Sequence, residues 1–164
     1  MQAVRHPAPP SGLFDGALHL FPLRVYYEDT DLSGIVYHAN YLRWFERARS
    51  DMLRLLGVDQ RAAAEAGEGT YAVADLSVRY LRPARLDDEV TIATSATELR
   101  AASVRLQQRA VLAQAKGGGG SGENMLLAEA TIRVGFVAPD GRPRRQPAQW
   151  RAAFDALLNP EESE

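Results

Sequence analysis

One long amphipathic helix is the pattern that most constrains the fold of this chain. Between residues 39 and 57, apolar side chains recur at spacings of three and four, the period of one helix face. Gly57 stands where a helix commonly ends, because glycine adopts the left-handed conformation of a C-terminal cap at low cost. Leu42, Trp44 and Leu53 widen the apolar surface beyond a narrow stripe. We therefore expect this helix to be largely enclosed. Its apolar stripe consists of Tyr41, Phe45, Ala48, Met52, Leu55 and Leu56.

The remaining periodic segments show the alternation of β-strands. Residues 126–137 alternate most clearly, with apolar side chains on one face and polar or charged side chains on the other. Residues 71–81 alternate in the same way, with apolar side chains at the even positions from Ala72 to Tyr80. Four strands that follow one long helix predict an α+β fold, in which an antiparallel sheet covers the helix. The other expected strands are residues 21–27, 89–97 and 103–113.

The length of 164 residues is enough for one domain and short for two, so we expect a single core. Residues 1–20 contain several prolines and predict a flexible N-terminal leader, followed by a folded domain over residues 21–138. The glycine-rich residues 116–123 predict a flexible loop inside that domain, of either natural or engineered origin. Residues 139–164 predict a turn and then a short helix over residues 147–158.

Composition argues against several classes of function. A formal net charge of -2 provides no overall basic field, so we expect no nucleic-acid partner. No apolar run approaches the roughly 20 residues that cross a bilayer, so we expect no membrane span. The absence of cysteine rules out thiolate chemistry and fits a reducing compartment, for which the cytoplasm is the default. The histidines, His6, His19 and His38, lack the spacing of a metal motif, so we expect no metal.

Acidic side chains and a histidine precede the long helix. Glu28, Asp29, Asp31 and His38 lie in one segment that leads into the helix N-terminus. Unpaired backbone N–H groups and the helix dipole favour negative charge at such a place, and a thioester carbonyl gains negative charge when it is attacked. A carboxylate beside it can act as a nucleophile or as a general base on water. Taken alone, the same residues also fit a helix cap or a turn.

The residues of this segment resemble the signature of a known family. The run Tyr-Tyr-Glu-Asp-Thr-Asp at residues 26–31 and the run Gly-Ile-Val-Tyr-His-Ala-Asn-Tyr at residues 34–41 look like the 4-hydroxybenzoyl-CoA thioesterase-like hotdog family. The similarity continues through residues 45–49, Tyr80 and residues 83–88. Within the family, the pattern is most similar to the YbgC-type branch, which is associated with the Tol-Pal system.

The resemblance implies a fold and an assembly. It implies a hotdog fold, in which a five-stranded antiparallel sheet wraps around one long central helix. It further implies homodimers joined into a continuous sheet, commonly paired into homotetramers, with the active site at the dimer interface. No cofactor is implied, because coenzyme A is part of the substrate.

The resemblance also implies site residues. Asp31 matches the catalytic carboxylate, and the backbone N–H of His38 matches the group that polarises the thioester carbonyl. The side chains of His38 and Tyr27 match groups that assist in the YbgC-type branch. For the phosphates of coenzyme A, Arg100 falls where relatives carry an arginine-rich turn, and Arg82 and Arg85 are further candidates because guanidinium groups match phosphate oxygens.

The expected function is hydrolysis of a short-chain, medium-chain or aromatic acyl-CoA, or of an acyl carrier protein thioester. Asp31 would attack directly or activate water, and the sequence leaves both routes open. Two other functions fit parts of the pattern. One is hydration or dehydration of an acyl thioester on the same fold. The other is non-catalytic binding of acyl carriers or of envelope and lipid-synthesis proteins.

Overall fold

The computed structural model describes residues 3–113 and 124–160. Its central feature is a helix of 18 residues, α1, which matches the helix predicted from the apolar stripe and confirms it. The bounds of the strands are β1 (Leu13–Asp15), β2 (Leu18–Arg24), β3 (Thr70–Tyr80), β4 (Glu89–Leu99), β5 (Ser103–Leu112) and β6 (Met125–Val137). Those of the helices are α1 (His38–Leu55), α2 (Gln60–Glu65) and α3 (Ala148–Leu158), and a short 3-10 turn covers Tyr27–Asp29.

The six strands of the described residues form one antiparallel sheet with the order β1-β2-β4-β5-β6-β3. The core lies between α1 and one face of this sheet, and Ala48 and Met52 of the helix are completely buried in it. Ile92 of β4 and Leu127 of β6 are completely buried as well. The expected α+β architecture, an antiparallel sheet that packs around one long helix, is therefore confirmed.

The sheet begins earlier in the chain than the sequence predicted. β1 and β2 form a hairpin with a two-residue connection, so the boundary expected at residue 20 falls inside β2 and the sheet has six strands instead of five. Gly16 in the connection has a φ of 58°, which glycine tolerates at little cost. The hairpin is stable because β2 continues onto β4, where Phe21 is buried in the core. Residues 13–20 are thus part of the sheet.

β3 is an edge strand and is more exposed than its alternation suggested. Its register with β6 shifts between Val73 and Asp75, which breaks the simple pattern of even positions facing the core. Tyr71 before the shift and Val78 after it both pack against the core, although one position is odd and the other even. Val73, Leu76 and Tyr80 are 44–46% exposed, so a row of large apolar side chains lies along an unpaired sheet edge.

The C-terminal helix α3 belongs to the same core. Trp150 and Phe154 are buried, and the ring of Tyr71 lies within 5.5 Å of the Trp150 ring. Gln146, just before the helix, is buried and accepts a hydrogen bond of 2.5 Å from the Tyr71 hydroxyl. The loop predicted at residues 116–123 lies outside the described residues. Among the helices of the described chain, none combines the length and apolar character that crossing a membrane requires.

Candidate active site

A tight loop over residues 30–36 presents Asp31 at the start of the segment that leads into α1. An antiparallel bridge joins the two ends of this loop. Inside it, the Asp31 N–H donates to the Ile35 carbonyl at 2.9 Å, and the Gly34 N–H donates to the Asp31 carbonyl at 3.0 Å. Gly34 has a φ of 76°, a conformation that side chains disfavour. These bonds fix the backbone of Asp31 within a closed turn.

Ser33 holds the Asp31 carboxylate by two hydrogen bonds. Its Oδ1 accepts hydrogen bonds from the backbone N–H of Ser33 at 2.8 Å and from the Ser33 hydroxyl at 2.5 Å. The Ser33 hydroxyl and then the Ser33 N–H lower the pKa of Asp31 below its ordinary value, because both bonds favour the charged form. The side chain is otherwise exposed to solvent. Asp31 is therefore ionised at neutral pH and lies on an open surface of the protomer.

The N-terminus of α1 is electropositive and has no side-chain cap. Tyr37 occupies the capping position without a side-chain hydrogen bond, and the first turn contains no acidic residue. The Asn40 N–H donates a hydrogen bond of 2.9 Å to the Tyr37 carbonyl. For the N–H groups of His38 and Ala39, no acceptor lies within the described parts of the chain. Two free N–H groups and the helix dipole can thus bind a developing negative charge.

Asn40 and Asp29 tie the Asp31 loop to this helix. The Asn40 side-chain amide donates to the Asp29 carbonyl at 2.9 Å, and the Tyr37 N–H donates to the same carbonyl at 2.9 Å. Asn40 is buried, although its type is usually exposed. The sequence analysis did not identify Asn40 as a site residue. The signal that could have identified it is an asparagine in the first turn of a helix that is otherwise rich in apolar residues.

His38 lies among aromatic side chains at the same helix end. Its ring centroid is 4.6 Å from that of Tyr37 and 6.0 Å from that of Tyr80. The Tyr80 hydroxyl donates a hydrogen bond of 2.8 Å to the His38 backbone carbonyl. His38 itself is exposed, and no hydrogen bond joins its side chain to Asp31 in the described structure. The two residues are brought to one end of the helix without direct contact.

Tyr27 is the first residue of the 3-10 turn that precedes the loop. Its backbone carbonyl accepts hydrogen bonds from the N–H of Thr30 at 3.1 Å and from the Thr30 hydroxyl at 2.7 Å. The Tyr27 side chain is 83% exposed, and in the described structure it makes no hydrogen bond to Asp31 or His38. Within one protomer, the tyrosine contributes its backbone to the turn and leaves its ring in solvent.

The two arginines that follow β3 lie close to the Asp31 loop. An isolated antiparallel bridge joins Ile35 to Arg85, and the Val36 N–H donates to the Ala84 carbonyl at 2.9 Å. The backbone of Arg82 is fixed by a hydrogen bond of 3.0 Å to the Leu127 carbonyl. Both arginine side chains are exposed. The structure therefore brings Arg82 and Arg85 to the same end of the sheet as Asp31.

Arg100 lies at the opposite end of the sheet. The β3 residue Tyr80 pairs with Ala128 of β6, whereas the strand end before Arg100 is level with Val134 of β6. Six residues of β-strand span roughly 20 Å at about 3.3 Å per residue. The Arg100 guanidinium also pairs with Glu98 at 2.8 Å. Within this chain, Arg100 and Asp31 are therefore far apart.

A groove of about 740 Å³ lies between α1 and the strands β2 and β4. Phe21, Trp44 and Val90 are among its apolar residues, and Arg47 and Arg54 are on its helical side. It reaches Asp29 and does not include Asp31 or His38. This groove therefore does not enclose the Asp31 carboxylate.

A second polar cluster, away from this site, holds the N-terminal segment against α1. His19 is completely buried, and its Nε2 lies 2.8 Å from the Asp51 carboxylate. The same carboxylate accepts hydrogen bonds from the Ser11 hydroxyl and the Gly12 N–H, both at 2.9 Å. Burial raises the pKa of Asp51, but the bonds from Gly12, His19 and Ser11 outweigh it and leave the pKa below its ordinary value. This cluster is structural and was not predicted from the sequence.

Comparison with known proteins assigns this arrangement to a family. Residues 33–117 match the sequence pattern of the thioesterase superfamily. The chain is 42% identical over 138 residues to "Acyl-CoA thioester hydrolase YbgC" of Escherichia coli O6:H1, covering 84% of this chain and 96% of that protein. It is 36% identical over 138 residues to "Acyl-CoA thioesterase YbgC" of Haemophilus influenzae, covering 84% of this chain and 94% of that protein.

A solved structure supports the same fold. The chain resembles a variant of 4-hydroxybenzoyl-CoA thioesterase in complex with 4-hydroxybenzoyl-CoA, with a TM-score of 0.74. The sequence identity is 23%, and the alignment covers 84% of this chain and 99% of that chain. At this identity, the likeness concerns the hotdog fold alone.

Proposed function

The chain belongs to the thioesterase superfamily and is a thioester hydrolase, and we propose that it hydrolyses acyl-CoA substrates with Asp31 at the N-terminus of α1. The ionised Asp31 carboxylate supports this proposal most strongly. It is fixed in a loop that is hydrogen-bonded to the uncapped start of that helix. The E. coli and H. influenzae relatives carry names that specify acyl-CoA, which is the substrate class we extend to this chain.

The reaction consumes one water and releases one acid and one thiol. In the direct route, an Asp31 oxygen attacks the thioester carbon and the coenzyme A thiolate leaves, which gives a mixed anhydride. Water then hydrolyses the anhydride and restores the carboxylate. In the general-base route, Asp31 takes a proton from a water molecule that attacks the same carbon, and the leaving thiolate receives a proton. Both routes place negative charge on the carbonyl oxygen and use the same residue.

The free N–H groups of His38 and Ala39 can donate hydrogen bonds to the negatively charged carbonyl oxygen. They point from the first turn of α1, where the helix dipole adds to their effect. Donors that are already fixed before the reaction stabilise a developing oxyanion with little reorganisation. His38 and Tyr27 contribute side chains at the rim of the site, where a substrate can reach them.

A second copy of the chain would complete the site. Asp31 is open to solvent in the protomer, whereas acyl transfer needs a cavity that excludes water around the charged groups. The exposed apolar edge of β3 ends at Tyr80, beside His38, and provides a surface for pairing with a second β3. Two antiparallel β3 strands would bring the far end of one sheet toward the Asp31 end of the other. This homodimer would carry Arg100 of one protomer toward the site of its partner, and two dimers would form the homotetramer.

The phosphates of coenzyme A would bind to arginines at the site entrance. Arg85 is the best placed, because its backbone is bridged to Ile35 in the Asp31 loop. Arg82 lies on the same connection between β3 and β4. An acyl carrier protein presents the same thioester on a phosphopantetheine arm, so it is a second carrier for the same chemistry. The proposed reaction needs no cofactor, and we place it in the cytoplasm.

A product assay with a panel of thioesters tests the substrate proposal. Short, medium, long and aromatic acyl-CoAs and one acyl carrier protein thioester are incubated with the purified chain. Free thiol is measured with a chromogenic disulfide, and formation or loss of a carbon–carbon double bond is followed by mass spectrometry. We expect thiol and free acid in equal amounts from at least one acyl-CoA. Double-bond chemistry without thiol release would instead identify a hydratase or dehydratase, and binding without turnover would identify a carrier-binding protein.

A further inference from the structure

Resting on the proposed function, we propose that Tyr80 is a positioning residue, whose hydroxyl holds and polarises the His38–Ala39 peptide group so that the Ala39 N–H contributes to binding the thioester oxygen. Tyr80 is the last residue of β3, at the exposed edge of the sheet. Its hydroxyl donates to the His38 carbonyl at 2.8 Å. The bond therefore joins the sheet edge to the first residue of α1.

The atoms involved belong to one peptide unit. The carbonyl of His38 and the N–H of Ala39 lie at opposite ends of the same planar group. A donor on the carbonyl oxygen withdraws electron density from that group and strengthens its N–H as a donor, as in chains of cooperative hydrogen bonds. Within the described residues, that N–H has no acceptor. The polarised donor is thus available to a bound substrate.

Two ring contacts keep the tyrosine in place. The Tyr80 ring is 5.5 Å from the Tyr41 ring and 6.0 Å from the His38 ring, both edge to face. Tyr41 is buried in the core, so it provides a fixed support. Partial burial raises the pKa of Tyr80, so the hydroxyl keeps its proton and remains a donor at neutral pH.

Replacing Tyr80 by phenylalanine distinguishes two roles for its side chain. If the side chain only packs against the sheet edge, phenylalanine should replace it without loss, because the ring contacts remain. If the hydroxyl positions the peptide group, Tyr80→Phe should weaken stabilisation of the oxyanion and leave binding of the rest of the substrate intact. A loss in kcat with little change in KM distinguishes the second role from the first.

Tyr71→Phe is a matched control on the same strand. The Tyr71 hydroxyl also makes a hydrogen bond, to Gln146 at the far end of β3. Both variants lose one hydroxyl and keep the ring. Tyr71→Phe should therefore lower the melting temperature and preserve kcat. Tyr80→Phe should lower kcat and preserve the melting temperature.

The experiment measures kcat and KM for the parent, Tyr80→Phe and Tyr71→Phe on the acyl-CoA that the panel shows to be hydrolysed fastest. A 13C-carbonyl ketone analogue of that substrate, with the sulfur replaced by CH2, is then bound to each protein for infrared spectroscopy. We expect kcat of Tyr80→Phe to fall roughly 3- to 10-fold, the size expected for one neutral hydrogen bond. We also expect the carbonyl stretch of the bound ketone to move toward its value in water only in this variant.

The outcomes also distinguish this inference from the proposed function. Unchanged kcat and carbonyl stretch in Tyr80→Phe would overturn the role of Tyr80, even if Asp31→Asn is inactive. Parent activity in Asp31→Asn would overturn the proposed function, whatever the ketone spectrum shows. An equal loss of kcat in Tyr71→Phe and Tyr80→Phe would show a general structural effect and would also overturn the positioning role.

Discussion

Ser33 donates two hydrogen bonds to a single oxygen of Asp31, one from its backbone N–H at 2.8 Å and one from its hydroxyl at 2.5 Å. Both bonds favour the ionised carboxylate and lower the pKa of Asp31. Both bonds from Ser33 go to Oδ1, so Oδ2 carries neither of them. This geometry orients the carboxylate and leaves Oδ2 clear of Ser33.

Replacement of Ser33 by alanine should raise the pKa of Asp31 toward its ordinary value of 3.8, since the hydroxyl bond is the largest cause of the shift. Asp31 must be ionised to act, so activity is lost as the pH falls through this pKa. We therefore expect the acid limb of the pH profile of kcat/KM to move to higher pH in Ser33→Ala, while the rate at pH 7 changes little. An acid limb at the same pH in both proteins would contradict the role of Ser33.

Replacement of Asn40 by alanine should separate the loop from the helix. The buried amide is lost, and the Asp29 carbonyl keeps only the bond from Tyr37. Losing a buried hydrogen bond lowers the free energy of unfolding by about 1–3 kcal/mol. We expect a lower melting temperature and, at temperatures where the variant is folded, a kcat/KM at least several-fold below the parent. Parent kinetics in the folded variant would show that the tie between loop and helix does not matter for catalysis.

Asp51→Asn tests the cluster that holds the N-terminal segment. An amide cannot accept all three bonds from Ser11, Gly12 and His19, so the variant should lose about 1–3 kcal/mol of unfolding free energy at pH 7. The pKa of Asp51 lies below 3.8 in the folded protein, so its contribution is complete above pH 3.8 and is lost as the pH falls through the lowered value.

Urea unfolding of both proteins between pH 7 and pH 2.5 measures this difference. The gap in stability between parent and Asp51→Asn should narrow as the pH falls, and kcat at pH 7 should be the same in both. A gap that stays constant down to pH 2.5 would mean that the Asp51 carboxylate has no lowered pKa.

Leu76→Lys tests the proposed pairing of β3 with a second copy. Leu76 is 44% exposed in the middle of an unpaired edge strand, where a lysine blocks edge-to-edge association and leaves the protomer fold intact. We expect a folded monomer by circular dichroism and light scattering, with little thioesterase activity. Leu55→Lys is the control, because Leu55 is equally exposed (45%) but lies at the end of α1. A fully active monomer would refute a shared active site.

The sequence predicted the long elements well, because their burial follows directly from their periodicity. The stripe of α1 from Tyr41 to Met52 and the alternation of β6 both correspond to buried faces, whereas Leu55 at the end of the helix is exposed. The β1–β2 hairpin was missed because its strands are short and lie among prolines. Gly16, at the first position of the two-residue connection and with a φ of 58°, is the one residue that marks it in retrospect.

The alternating pattern did not predict which side chains of β3 face the core, because the register shift depends on how β3 pairs with β6. Nothing in the residues near Val73 and Asp75 shows that β6 will pair across them with one residue left over. The loop over residues 30–36 and its position before α1 were accessible from the sequence, since acidic residues and glycine precede the helix. The hydrogen bonds made by Ser33, Asn40 and Tyr80 could not be predicted from the sequence, because they form only when the chain adopts its fold.

Asp31→Asn removes the proposed catalytic carboxylate with almost no change in the shape of the side chain. Asp59→Asn is a suitable control, because Asp59 is also an exposed aspartate and caps α2 by accepting a hydrogen bond from the Ala62 N–H at 2.9 Å. Both variants are compared with the parent by thiol release at saturating acyl-CoA, and substrate binding is measured by calorimetry. We predict that kcat falls roughly 100- to 10,000-fold in Asp31→Asn, with a similar Kd and an unaffected Asp59→Asn protein. A parent rate of thiol release from Asp31→Asn would contradict a catalytic role for Asp31.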